Sequence, residues 1–217
     1  MAVGFVRWTA LVTMLLVTPP AFAETYVAGF FGVTLPANLT DVNLMGPKHT
    51  RLSDLDLSNS FVYGAKIGRY SDSTRWLGGE TEIFRSSPNL RQQSMTTTTV
   101  GTGVSTVAVE PGATVMVTTW AANLVVRYPG QRLQPYVAVG PALFFAELRS
   151  DSPGSRFGEA QAMNVGLNTQ VGLRYLWSSK FSVFAEWKYN HVRLSFDSFP
   201  NASYNAHHLV YGVSYHF

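Results

Sequence analysis

From Gln161 to Trp177 the chain alternates between two kinds of side chain. Met163, Val165, Leu167, Thr169, Val171, Leu173, Tyr175 and Trp177 occupy one set of positions. Asn164, Gly166, Asn168, Gln170, Gly172 and Arg174 occupy the other. A period of two puts each set on its own face of an extended strand. The run is longer than most strands of soluble proteins, and long enough to cross a bilayer at a tilt.

The same pattern recurs along the chain. Phe181, Val183, Ala185, Trp187 and Tyr189 face away from Ser182, Phe184, Glu186, Lys188 and Asn190. Met116, Trp120, Ala122, Leu124, Val126 and Tyr128 oppose Thr119, Ala121, Asn123, Val125 and Arg127. Tyr63, Ala65 and Ile67 oppose Val62, Gly64, Lys66 and Gly68, and Leu77, Gly79, Thr81 and Ile83 oppose Gly78, Glu80 and Glu82. The last strand sets Leu209, Tyr211, Val213, Tyr215 and Phe217 against His208, Val210, Gly212, Ser214 and His216. Two segments alternate less cleanly. In 132–148, Val137, Val139, Leu143 and Phe145 are assigned outward, with Tyr136, Ala138, Gly140 and Ala142 inward. The opening strand near 25–35 is apolar on both faces and its register stays open. Eight strands result, at about 25–35, 59–71, 75–86, 114–128, 132–148, 162–177, 180–196 and 205–217.

Polar residues on one enclosed face and apolar residues on the other make a closed barrel in lipid, where closure pairs every backbone group and leaves no free edge. The connections agree. Long segments (36–58, 87–113, about 149–160 and 197–204) alternate with tight ones at 71–74, 129–132 and 178–180. Long loops at one end and short turns at the other are the habit of barrels in bacterial outer membranes. The predicted fold is all-β, a closed eight-stranded antiparallel transmembrane β-barrel in up-and-down meander order. Tyr70, Trp76, Tyr128, Trp177, Phe181, Tyr215 and Phe217 gather beside the short turns, which predicts an aromatic girdle at the periplasmic headgroup level.

The amino terminus adds an export signal. Arg7 precedes an apolar stretch from Trp8 to about Val17; Pro19 and Pro20 follow, and then Ala21-Phe22-Ala23. This is the pattern of a signal peptide over 1–23, cut between Ala23 and Glu24, with a barrel domain at 24–217. The apolar core is too short to span a bilayer as a helix. The chain has no cysteine, so neither disulfides nor thiol chemistry are expected. A formal charge of +3, with no basic stripe, argues against a nucleic-acid partner.

The segments "PYVAVGPALFF", "VGLRYLWSSKFSVFAEWKYNH" and the terminal "YGVSYHF", with the leader and the eight alternating strands, resemble the OmpA/OmpX-like outer-membrane β-barrel family over the whole mature chain. The resemblance implies a Gram-negative outer-membrane location. It also implies that the final strand, ending on Phe217, is the signal read by the barrel assembly machinery. Nothing follows Phe217, so a peptidoglycan-binding periplasmic domain is not expected.

An eight-stranded barrel is just wide enough for side chains to fill. The inward charges Lys66, Glu80, Glu82, Arg127, Arg174, Glu186 and Lys188 should therefore pair, with Asn123, Asn168, Gln170, Asn190 and His208 filling between them. An unpaired buried charge costs several kcal/mol. This interior network is the candidate site. Lipid A deacylases carry a His-x-Ser pair late in the chain; here Arg193 stands two residues after His191, and Ser195 has the wrong spacing. Enzymatic activity is therefore not expected. His49, His207 and His208 have no metal-ligand spacing, and no metal or cofactor is expected. The Thr/Val-rich stretch 95–119 predicts a hairpin above the membrane. The expected role is structural, or one of surface contact through loops 36–58 and 87–113, by a monomer solvated by outer-membrane lipids. A narrow path for small solutes through the interior is the alternative, and a lipid-modifying activity ranks behind both.

Overall fold

The computed structural model describes residues 24–36, 40–44, 50–52, 58–90, 93–99, 105–110, 113–150, 160–194 and 201–217. Eight long strands form the barrel wall: β1 (Thr25–Pro36), β2 (Ser60–Tyr70), β3 (Leu77–Ser86), β4 (Ala113–Arg127), β5 (Leu133–Ser150), β6 (Ala160–Leu176), β7 (Phe181–Leu194) and β8 (Asn201–His216). Each pairs antiparallel with its neighbours in chain order. β1 closes on β8, in a register running from Tyr26↔His216 to Pro36↔Ala206. The ends are sewn by Phe217 N–H to Thr25 O at 2.9 Å and Thr25 N–H to Phe217 O at 3.3 Å.

The wall turns apolar side chains outward, as the alternation predicts. Leu167, Val171, Val183, Leu209 and Val213 are all 40% or more exposed, while Asn168, Gln170, Ser182 and Ser214 are at most 1% exposed. The orientation that was open in β1 is now fixed: Tyr26, Ala28, Phe30 and Thr34 point inward. Aromatic residues fill both faces of β1, which hides its period.

Pro141 sits on the lipid face of β5 and has no N–H to give the ladder. Pairing with β4 runs Val139↔Leu124, then resumes at Ala142↔Ala121 with no shift of register. The two strands are close here. A Cβ on Gly140 would lie 1.8 Å from the Ala122 carbonyl oxygen.

Above the loop end the sheet extends beyond the barrel. The outer end of β8 pairs with Thr40–Leu44, which pairs with Thr50–Leu52, then Gln93–Thr99, then Ser105–Glu110. Asn89–Leu90 pairs with the start of β4. The hairpin expected within 95–119 is thus Gln93–Thr99 against Ser105–Glu110. It joins the segment from loop 36–58 laterally and is not a simple upward continuation of β3 and β4.

Candidate functional site

All twelve interior positions named from the sequence lie inside the wall: Lys66, Glu80, Glu82, Asn123, Arg127, Asn168, Gln170, Arg174, Glu186, Lys188, Asn190 and His208 are each no more than 5% exposed. They stack in layers from the turn end upward. At the bottom, Arg127 donates Nε–H to the Arg75 carbonyl at 2.9 Å and Nη1–H to Gln134 Oε1 at 3.1 Å. Its Nη2 pairs with Glu24, and its guanidinium lies 3.5 Å from the Tyr70 ring centroid. His216 Nδ1 meets the other Glu24 oxygen at 3.1 Å.

One layer up, Arg174 lies over the Tyr26 ring at 4.2 Å and near those of Tyr136 and Tyr70. The rings' negative faces stabilise a guanidinium that has no carboxylate against it. The Tyr26 and Tyr136 hydroxyls donate upward to Glu80 and Glu186. Lys66 bridges those two carboxylates, at 3.1 Å from Glu80 and in direct contact with Glu186.

The third layer centres on Lys188, which pairs with Glu82 and stands 3.1 Å from Glu186. Asn168 donates to Glu82 at 2.8 Å and to Asn123 Oδ1 at 2.9 Å. Asn190 donates to Asn168 Oδ1 at 2.8 Å. His208 continues the chain, with Nε2–H given to Asn190 Oδ1 at 2.7 Å and Nδ1 taking the Thr34 hydroxyl at 2.8 Å. Among the described residues the interior network holds four carboxylates (Glu24, Glu80, Glu82 and Glu186) and four cations (Lys66, Arg127, Arg174 and Lys188), with Arg174 facing rings and not a carboxylate. Glu24 was missed in the sequence because it precedes a strand whose register could not be read.

Toward the loop end the interior changes character. The inward positions there include Val62, Phe84, Val117, Phe144, Leu194, Tyr204 and Ala206, with Ser86 and Thr119 between them, all at most 2% exposed. The enclosed face is thus polar at the turn end and in the middle, and largely apolar at the top. Gly/Asn/Gln alternation signalled the lower part; the upper part has apolar residues on both faces and gives no contrast.

The girdle needs one correction. Trp76, Tyr128, Trp177, Phe181, Tyr215 and Phe217 are exposed on the outer wall at the turn end, and Phe181 packs edge-on to Tyr215 at 5.3 Å. Tyr70 is inside, 2% exposed. It shares the parity of Lys66 on β2, and that parity overrides its nearness to the turn.

The sequence over residues 9–217 matches the model of the outer membrane protein beta-barrel domain. The chain belongs to this outer-membrane β-barrel family. It is accordingly a protein of the bacterial outer membrane, and by the family's habit its short turns are periplasmic and its long loops extracellular. The fold is shared with Neisserial surface protein A (13% identity, 91% of this chain and 100% of that one, TM-score 0.56). It is shared with OprG of Pseudomonas aeruginosa (12%, 90% and 96%, TM-score 0.57). It is shared also with Ail, the attachment invasion locus protein of Yersinia pestis, in complex with the heparin analogue sucrose octasulfate (12%, 91% and 100%, TM-score 0.52). At such identities the likeness is one of fold. A search of curated proteins found no match.

His191, weighed above against a deacylase pattern, faces outward at the extracellular rim, where Nδ1–H donates to Asn205 Oδ1 at 2.6 Å. Ser195 lies outside the described residues, as does His49. Among the described residues no cluster of His, Asp and Glu is arranged to hold a metal ion.

Proposed function

We propose that this outer-membrane barrel is a sealed structural stave-ring whose working surface is the sheet above its loop end. It contacts the cell's surroundings through loops 36–58 and 87–113. The observation that carries this reading is the apolar layer of Val62, Phe84, Val117, Phe144 and Leu194 across the upper interior. An ion crossing it would shed its hydration with only the hydroxyls of Ser86, Thr119 and Tyr204 in return, and no charge. Sealing leaves the extracellular sheet, assembled from both long loops, as the place for recognition. In this reading the chain works as a monomer, is cut after Ala23, and is inserted by the barrel assembly machinery through β8.

A narrow channel is the second reading. It draws on the charged groups stacked from Glu24 to Glu82, with Arg174 among its tyrosine rings between the lower and upper ion pairs. Planar-bilayer recording separates the two. The sealed reading expects no steady openings from the wild-type protein and openings once Phe144→Ser and Leu194→Ser are combined. Steady wild-type openings altered by Glu80→Ala or Lys188→Ala would refute it and establish the channel.

A further inference from the structure

Lys66 meets Glu186 across the bore as a nucleophile meets an electrophile. Its Nζ touches Glu186 Oε1 and stands 3.1 Å from Glu80 Oε2, and all three side chains are fully buried. Lys66 belongs to β2 and Glu186 to β7, 120 positions apart in the chain. An amine held against a carboxyl group, away from water, has already met the positional demand of amide formation.

The groups around the pair are those an acyl transfer uses. Tyr136 donates its hydroxyl to the same Oε1 of Glu186, where negative charge gathers when an amine adds to the carboxyl carbon. Tyr26 donates to Glu80 Oε2 and fixes that carboxylate beside the amine, within reach of its protons. Both phenols lie across glycines. A Cβ at Gly172 would run into the Tyr136 ring, and one at Gly68 into the Tyr26 ring. Glycine at these two positions is what lets each hydroxyl reach its carboxylate. The Phe184 ring covers the amine, with its centroid 4.5 Å from Nζ. On the other side, Lys188 Nζ stands 3.1 Å from Glu186 Oε2.

We infer that the folded barrel closes an amide bond between Lys66 Nζ and Glu186 Cδ, with Glu80 as the catalytic base. The ion pair described above is the state before the reaction. A dry site lowers the cost of moving a proton from an ammonium to a carboxylate, because burial disfavours the charged forms. The freed lone pair of Nζ adds to Cδ. Tyr136 steadies the charge on Oε1, which stays as the amide oxygen, and the bond from Cδ to Oε2 breaks. Nζ sheds two protons, accepted at the amine by Glu80. Oε2 gains two, delivered from the side of Lys188, and leaves as water. Glu80 and Lys188 end as they began, and no co-reactant enters the balance. The charges left behind still match, with Lys188, Arg127 and Arg174 against Glu24, Glu80 and Glu82. The product pins β2 to β7 and closes a loop in the chain that unfolding leaves intact.

The test is the intact mass of the full barrel extracted from outer membranes, followed by a proteolytic map. The wild type should be lighter than its mature sequence by one water, and the map should contain a branched peptide joining the segments around Lys66 and Glu186. Lys66→Met and Glu80→Gln should each restore the full mass, while Lys180→Gln, on a periplasmic turn, should leave the loss in place. Boiled wild type should also run ahead of boiled Lys66→Met on a gel, because its chain is closed over 120 positions. A wild type of full mass overturns the inference. So does a water lost elsewhere, as by cyclisation of an amino-terminal Glu24, or a branched peptide that persists in Glu80→Gln. Heat-modifiable gel mobility checks that each variant has folded. Should the variants fail to fold, a time course on the wild type decides the matter. Chain taken up in urea from inclusion bodies should have its full mass and should lose water only after folding into phosphatidylcholine vesicles. Loss already present in urea, or none after folding, overturns the inference.

Discussion

Replacing Lys188 with methionine tests the interior network where it is most heavily loaded. Lys188 touches two carboxylates: it pairs with Glu82 and lies 3.1 Å from Glu186. At an effective dielectric near 20, an ion pair at 3.1 Å is worth about 5 kcal/mol before desolvation is counted. Methionine fills most of the volume, so the loss is one of charge and not of packing. Lys188→Met would leave Glu82 and Glu186 sharing the interior with Lys66 as the nearest remaining cation. Removing one member of a buried pair costs about 3–5 kcal/mol, because the survivor stays in a poor solvent without compensation. The expected loss falls in that range.

A second substitution isolates the electrostatic part. In Lys188→Met/Glu82→Gln, one positive and one negative charge leave together, and the glutamine oxygen still accepts from Asn123 and Asn168. Replacing a whole buried pair is often close to neutral, so the double variant should recover at least half of the single variant's loss. Reversible urea unfolding from phospholipid vesicles, followed by tryptophan fluorescence and gel mobility together, measures both. A single variant within about 1 kcal/mol of wild type, well below the cost of a broken buried pair, refutes the reasoning. So does a double variant no more stable than the single one.

Two further outcomes follow from the wall and its lower rim. Burial alone would raise the Glu24 carboxyl, but hydrogen bonds and charge from His216 and Arg127 outweigh it and hold it down, from 4.5 to about 2. The folded protein therefore binds this proton less readily than the unfolded chain. Its contribution is complete above pH 4.5 and fades as pH falls toward 2, so Glu24→Gln should flatten the acid side of the wild-type stability curve; parallel curves in a heat-modifiability titration would count against a stabilising role for the Glu24 contacts with Arg127 and His216. Gly140→Ala should prevent formation of the heat-modifiable species, since its Cβ would press on the Ala122 carbonyl at 1.8 Å, whereas a Cβ on Gly79 meets nothing within 4 Å and Gly79→Ala should fold like the wild type. Equal yields for the two would remove close strand approach as the reason for glycine in β5.

What the sequence disclosed depended on contrast between faces. In β6, Asn168 and Gln170 alternate with Leu167 and Val171, and a period of two fixes the facing of every residue. β1 lacks contrast, because its inward set includes Tyr26 and Phe30, whose rings serve Arg174 and Lys188 as cation partners. An aromatic ring does the work of a polar side chain there, and no hydropathy pattern marks it. Tyr70 shows the converse: proximity to a turn suggested the girdle, although the strand's own parity pointed inward. Glu24 stood outside any strand, and only the closed barrel brings it to Arg127, 103 positions away. The lateral sheet above the rim was equally silent. Thr50–Leu52 pairs with Gln93–Thr99 across a whole hairpin of the wall, and a threonine-rich sequence offers no contrast between alternate positions to set a register.

The two halves of the interior answer different demands, and perturbing one need not disturb the other. The charged layers occupy the lower part and middle, where Lys66, Lys188 and Arg174 are each matched by carboxylates or rings. Their cost on disruption falls on the charged groups left without a partner. The layer above carries only the hydroxyls of Ser86, Thr119 and Tyr204 and no charge from the network, so in the sealed reading the barrier to ions does not depend on the network. Lys188→Met should therefore weaken the barrel without making it conduct. If that variant were to open steadily in a planar bilayer while remaining folded, Val62, Phe84, Phe144 and Leu194 would not be the seal. The charged groups would then be the gate.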